Sequence, residues 1–320
     1  MARALRMEFE GAVYHVMSRG DRKEAIFRDD TDRRRFLETL GEVCRRTDWE
    51  VHAVCLMGNH FHLVLETPKP NLVAGMKWFL GTFTGRFNRR HRTTGHLFGG
   101  RYKALVVDGE SPGYFLTVCE YVHLNPARAC LVKPEEPLKA YPWSSFAEYL
   151  KPPTARWPWL RVDRLYGEMR LDPSRSSGRR RFEEQTESRR LERPEAWKEI
   201  RRGWYFGGAE LKERLLEREL PRFRPDHLGA ARSEGDEAKA ERILREELAK
   251  LHWTDAELGK RRKGDPGKVL MARRLRLETT RTLAWIARRL EMGSWTHVSN
   301  LLRAPTSAES RPVSRPDQSV

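Results

Sequence analysis

The sequence predicts an α+β protein. A ferredoxin-like antiparallel sheet domain of the split β-α-β type comes first, and an all-α C-terminal region with a helix-turn-helix follows. Three observations predict this. The hydrophobic period switches between strand and helix in the order β-α-β-β-α-β up to Val107. The composition changes after Tyr149, at Lys151-Pro152-Pro153. Beyond that break the segments 207–220, 236–252, 269–277, 282–290 and 295–303 read as helical. In this arrangement the helices cover one sheet face and leave the other free for a ligand or partner.

Each element has a local reason. Segment 12–18 (AVYHVMS) alternates as a strand and ends at Arg19-Gly20. Residues 31–47 place Phe36, Leu37, Leu40 and Val43 at helical spacing after a Thr/Asp cap region. Trp49–Met57 and His60–Glu66 read as strands joined by a Gly58-Asn59 turn. Residues 71–90 form a second amphipathic helix, and Tyr102–Val107 a fourth strand. Ser111-Pro112 supplies a cap and first turn for a third helix, which runs to about Leu124 because Pro126 disfavours helical geometry at Asn125. Residues 172–195 read as a flexible linker or a solvated helix, and 207–220 and 236–252 as helices. The polar, Pro/Ser-rich stretch from Pro305 reads as disordered. The expected division is 1–150, 151–258, 259–304 and 305–320.

The chain has 320 residues, which favours more than one domain. Sixty-one Lys and Arg against 45 Asp and Glu leave a net charge of +16, which favours a nucleic-acid partner. No apolar run has the length of a membrane helix. Met1–Val16 lacks the apolar core of a secretory signal. Cys44, Cys55, Cys119 and Cys130 are scattered without a CxxC pair, which excludes a zinc ribbon or disulfide framework and fits a reducing cytoplasm. From Thr67 to Val107 there are eight basic residues (Lys69, Lys77, Arg86, Arg89, Arg90, Arg92, Arg101, Lys103) and no acid. Aromatic residues are interleaved with them. Cations that hold phosphates beside rings that stack bases suit a single strand, and a solvated helix face would look the same. Arg19, Arg22 and Lys23, after the first strand, are further candidate phosphate contacts.

His60-Phe61-His62 puts two imidazoles on one face of a strand while Phe61 turns to the core. Such a pair either shares a divalent cation, with a third ligand and an open position for a phosphoryl oxygen, or is two surface histidines. Tyr121 and Asn125 lie four apart on one helix face. A tyrosine hydroxyl is a nucleophile once deprotonated or polarised, and an amide oxygen one turn on can complete a metal shell. A packing tyrosine and a helix cap would have the same spacing. Tyr102 and Tyr114 are rival nucleophiles.

The segments HVMSRGDRKEAIF (15–27), MGNHFHLVLE (57–66), YVHLNPARA (121–129) and YPWSSFAEYL (141–150) stand in this order, and residues 8–150 resemble the REP-associated tyrosine transposases. These are relatives of the one-tyrosine HUH transposases. The resemblance implies that His60 and His62 are the HUH histidines, that Asn125 is the third ligand of Mg²⁺ or Mn²⁺, and that Tyr121 is the nucleophile. It implies cleavage of hairpin-associated single-stranded DNA through a 5′-phosphotyrosine, by a monomer or a homodimer. The alternative is a DNA-binding regulator that keeps the scaffold without turnover. A chain about 170 residues longer than the resembling part is a departure from that family.

In the C-terminal stretch, Val269–Leu277 and Thr282–Leu290 are amphipathic, Met292-Gly293-Ser294 is a turn, and Trp295–Arg303 is a short helix. This resembles the helix-turn-helix of replication initiators, with the last helix entering the major groove of a duplex. Ser294, Thr296, His297, Ser299, Asn300 and Arg303 are then candidate contacts, and Trp285, Ile286, Val298 and Leu301 core. Eleven basic residues against two acids between Lys260 and Leu290 favour phosphate contact.

Overall fold

A computed structural model describes residues 7–192, 196–219 and 234–303. The expected disordered tail, 305–320, lies outside the described residues. By its contacts the chain forms two units, divided between Gly235 and Asp236.

The first unit is built on strands β1 (Ala12–Arg19), β2 (Glu50–Leu56), β3 (His60–Thr67) and β4 (Lys103–Val107) with helices α1 (Asp30–Thr47) and α2 (Leu72–His91) between them. The sheet order is β2-β3-β1-β4, and every neighbouring pair is antiparallel. The element order read from the sequence is therefore the order in the fold, with ends shifted by one residue or so. Helix α1 opens on the Asp29 carboxylate, which accepts from the Asp32 amide, and closes on Asp48 in the left-handed region.

Phe61, Leu63 and Leu65 of β3 are fully buried. On the Phe61 face, the Phe36 ring of α1 lies 4.9 Å from Phe61 and 4.8 Å from Phe79 of α2. Phe27 and Phe83 complete the cluster at 5.4 and 5.1 Å from Phe36. Phe36→Ala empties the centre of this layer, and a loss of about 3–5 kcal/mol is expected in urea unfolding. A loss under about 1 kcal/mol would show that the layer collapses around the gap.

The expectation of one free sheet face is corrected. Helix α3 (Tyr114–His123) packs on β2, β3 and β4, covering the opposite face. It buries Phe115, Val118 and Val122, more apolar surface than an exposed helix carries. The end of that face near the start of β3 carries an open cleft. Helix α3 also begins later than Ser111-Pro112 predicted. The Asp108 carboxylate accepts from the Glu110 and Ser111 amides, and Gly113 takes φ +87° just before the helix. The turn α4 (Asn125–Arg128) follows, with Pro126 at its start.

The break at Lys151-Pro152-Pro153 does not end this unit. Helices α5 (Phe146–Tyr149), α6 (Asp163–Glu168), α7 (Ser176–Ser188), α8 (Ala196–Arg202) and α9 (Ala209–Glu219) continue it. A two-residue strand β5 (Tyr205–Phe206), too short to leave a period in the sequence, pairs parallel to β4. Helix α7 is neither linker nor fully solvated. Its Phe182 lies 5.0 Å from both Tyr149 and Tyr166, inside the core. Trp197, Phe206, Leu211 and Leu215 join the same core.

The second unit contains α10 (Glu234–Lys250), α11 (Asp255–Lys260), α12 (Pro266–Glu278), α13 (Leu283–Arg289) and α14 (Trp295–Arg303). Ala240, Ile243, Leu244, Met271, Leu275, Ile286 and Val298 form its core, so residues 236–258 belong with the helices that follow them. Among the described residues, no helix is long and apolar enough to cross a membrane.

Candidate active site

The β1–β3 register sets Met17 opposite His62 and Arg19 opposite His60, and the β1–β4 register sets Met17 opposite Lys103. Side chains alternate along each strand, so His15, Met17, Arg19, His60, His62 and Lys103 share the face under α3. Tyr121 comes down onto it. Its ring centre is 5.6 Å from that of His15 and 5.8 Å from that of His62. Met17, Arg19, His60, His62, Lys103 and Tyr121, with Asn125 and Arg128, line a cleft of about 510 Å³, whose other walls are Ser18, Gly99 and Arg101; His15 lies behind it.

The two histidines of β3 are held edge to face, with ring centres 5.1 Å apart. Each has its Nδ1 engaged: His60 with Asn59 Oδ1 at 2.7 Å, and His62 with His15 Nε2 at 2.9 Å. That leaves Nε2 on both rings as the nitrogen for a ligand. Asn125 donates its Nδ2 to the Tyr121 carbonyl at 3.1 Å, so the amide oxygen is the end that remains to coordinate. Burial, then the Arg19 charge, pushes His60 down to about 4. Burial, then the neighbouring His15 and His60, holds His62 well below the usual imidazole range. Both rings are therefore neutral at neutral pH, the protonation state that binds a metal. The donor set fits a divalent cation: two imidazole nitrogens and one amide oxygen, with room for substrate oxygens.

Four cations line this cleft (Arg19, Arg101, Lys103, Arg128), and no carboxylate does. The Arg128 guanidinium sits 4.6 Å from the Tyr121 ring centre and 4.3 Å from that of Trp197. A positive charge thus lies against the face of the phenol ring. His15, Arg128 and Trp197 were not singled out in the sequence. A histidine two positions before a Met-Ser-Arg strand end is an ordinary strand residue until the register shows what lies opposite. Arg128, seven residues after Tyr121, carried a weak helical-spacing signal.

The other basic residues divide. Arg22 and Lys23 are exposed in the loop after β1, and Lys77, Arg89 and Arg92 are exposed on or just after α2. None of these lines the cleft. Arg86 and Arg90 face inward instead. Arg86 pairs with Glu42 at 2.7 Å, and Arg90 with Asp29 and Asp32, both at 2.6 Å. They fasten α2 to α1, since half-buried guanidinium groups between two helices need carboxylate partners.

A second group, Glu50, His52 and Glu66, brings its ligand atoms within 4.8 Å of one another at the far end of the same face. Each carboxylate there already meets a guanidinium, Glu50 that of Arg161 and Glu66 that of Arg164. The charge a cation would need is therefore compensated by the protein itself.

In the second unit, Thr296, His297, Asn300 and Arg303 are exposed on α14, while Ser299 is half-buried and Val298 buried. Gly293 takes φ +83° in the α13–α14 turn. Much of the local basic charge is internal. Arg274 pairs with Glu246, Glu247 and Glu278, and Arg289 with Glu241 and Asp255. Lys268 is buried, donating to the carbonyls of Arg261 and Glu291. The excess of cations counted in the sequence therefore overstates what this unit offers to phosphate.

Residues 8–125 match the family model described as "Transposase IS200 like". This part of the chain is similar to the IS200-like transposases. The match spans His60, His62, Tyr121 and Asn125, and a DNA-processing role for this part of the chain goes with it. No curated protein matches the chain. A solved structure of a REP-associated tyrosine transposase bound to a REP hairpin is similar at 15% identity and a TM-score of 0.39, over 46% of this chain and 84% of that one.

The buried histidines also set a pH dependence. His15, by burial and then Lys103, and His123, by burial, are each lowered to about 3. Between their ordinary value near 6.5 and that value, the unfolded chain binds more protons than the folded one. Stability is therefore complete above that ordinary value and falls as the pH drops toward the folded one. Each histidine contributes up to about 1.4 kcal/mol per pH unit within this window. The urea midpoint, measured in chelator, is expected to be lower at about pH 5 than at about pH 7, and an unchanged midpoint would refute it.

Proposed function

We propose that the first unit nicks and rejoins single-stranded, hairpin-associated DNA, with Tyr121 as nucleophile. The observation that carries this is the Tyr121 ring, held within 6 Å of His62 over a cleft walled by cations. Arg19, Arg101 and Lys103 would hold the phosphodiester backbone, and exclusion of carboxylates from the cleft keeps anionic DNA from being repelled. The Tyr121 phenol gives up its proton and its oxygen forms a bond to phosphorus. The bond from phosphorus to the 3′ oxygen breaks, and that oxygen takes up a proton. One phosphodiester is exchanged for another, so the reverse reaction reseals the strand without ATP. His60, His62 and Asn125 would hold a divalent cation such as Mg²⁺ or Mn²⁺, which when bound offsets charge on the scissile phosphate.

A labelled hairpin oligonucleotide incubated with Mn²⁺ should give a protein–DNA adduct that survives denaturation. Tight binding with no adduct in any divalent metal would instead identify a DNA-binding regulator. The division among the cations gives a second check. Arg101→Ala should weaken single-strand binding and reduce the salt slope by about 0.7. Arg90→Ala should leave that slope unchanged and lower the melting temperature, because Arg90 joins α1 to α2. Equal effects on the slope would overturn the division.

The second unit is proposed to grip duplex DNA through the exposed Thr296, His297, Asn300 and Arg303 of α14, as the last helix of a helix-turn-helix.

A further inference from the structure

We propose that His15 of β1 is a positioning residue that fixes the ring plane and tautomer of His62, so that His62 Nε2 points into the cleft. This rests on the reading of His60, His62 and Asn125 as a divalent-cation site.

The geometry is specific. His15 Nε2 and His62 Nδ1 are 2.9 Å apart, between residues 47 positions distant in sequence. The ring planes differ by 11° and the ring centres are 5.2 Å apart. That separation equals the nitrogen–nitrogen distance plus two ring radii, so the imidazoles meet edge to edge in one plane rather than stacking. An in-plane N–H···N bond has this form. One nitrogen must donate and the other accept. If His62 ligates through Nε2, its Nδ1 carries the hydrogen, and His15 Nε2 is the acceptor. Both rings are almost fully buried, 2% exposed each, so water cannot take over the role of His15. The Tyr121 ring lies edge-on to both, 5.6 Å from His15 and 5.8 Å from His62, which blocks rotation of the pair toward the helix. His60 obtains the same control from its neighbour Asn59, but His62 can obtain it only across the sheet.

The test measures Mn²⁺ binding to the full-length protein by electron paramagnetic resonance of the free ion, alongside thermal melting in chelator. His15→Phe keeps the ring volume and removes the acceptor. It is expected to raise the Mn²⁺ dissociation constant about 10- to 100-fold. His15→Gln, which restores a polar group near the Nε2 position, should recover most of that loss. A role in packing alone predicts the opposite order, with Phe the milder change in both melting and binding, and that result would overturn the proposal. Wild-type Mn²⁺ affinity in both variants, with His60→Ala impaired, would also overturn it while leaving the cation site standing. Mn²⁺ affinity unaffected by His60→Ala would remove the cation site and this inference with it.

Discussion

Tyr121→Phe should yield no covalent protein–DNA adduct while folding and binding hairpin DNA as the wild type does. The change removes one oxygen and leaves the ring. The contacts to His15, His62 and Trp197 and the Arg128 guanidinium over its face are ring contacts, and all persist in phenylalanine. Loss of the adduct therefore reports chemistry rather than unfolding. The rival tyrosines do not share this position. Tyr114 packs its ring 5.0 Å from Phe206 of β5, and Tyr102 is buried in the hydrophobic core. Neither lines the cleft. The readout is a gel shift of labelled oligonucleotide that resists denaturant, with melting curves of both proteins. An adduct of undiminished yield from Tyr121→Phe would move the nucleophile elsewhere.

His60→Ala should lower the adduct yield per unit time on the order of 10³-fold, because a bound divalent cation supplies several kcal/mol of charge stabilisation at the scissile phosphate. Hairpin affinity should change little, since Arg19, Arg101 and Lys103 remain. His60 is the cleaner target of the pair. It is half-buried, and its replacement leaves only Asn59 without a partner at Oδ1. His62→Ala would abolish the same chemistry but would also strand the buried His15 Nε2, at a cost of about 1–3 kcal/mol in stability. Wild-type adduct kinetics in His60→Ala, across Mg²⁺ and Mn²⁺, would reject a role for the HxH strand in cleavage.

Much of the candidate site was legible in one dimension because its parts are local. The two-residue period of β3 places His60 and His62 together, and the helical spacing of Tyr121 and Asn125 is kept across the junction of α3 and α4. The basic stretch 67–107 was a poorer guide. Spacing and charge do not distinguish Arg101, at the cleft, from Arg90, bound to Asp29 and Asp32. The acids that claim Arg86 and Arg90 lie more than forty residues earlier in the chain, on α1 or at its N-cap. The extension after Lys151 misled for a related reason. The Arg/Glu-rich surface of α7 hides a single inward ring, Phe182, that a mean over many residues does not register.

The sequence by itself determined the order of strands and helices from β1 to α3, the shared face of the two β3 histidines and the helices α10, α12, α13 and α14 of the second unit. Periodicity, caps and turn residues act over a few positions and need no partner. Only the tertiary structure decided that α3 packs on the second sheet face, that His15 meets His62 across the sheet, that Arg128 and Trp197 bracket Tyr121, and which cations line the cleft. These depend on strand register and on which distant groups share a buried volume. A buried polar group must find a partner wherever the fold supplies one, and the spacing of residues along the chain does not carry that information.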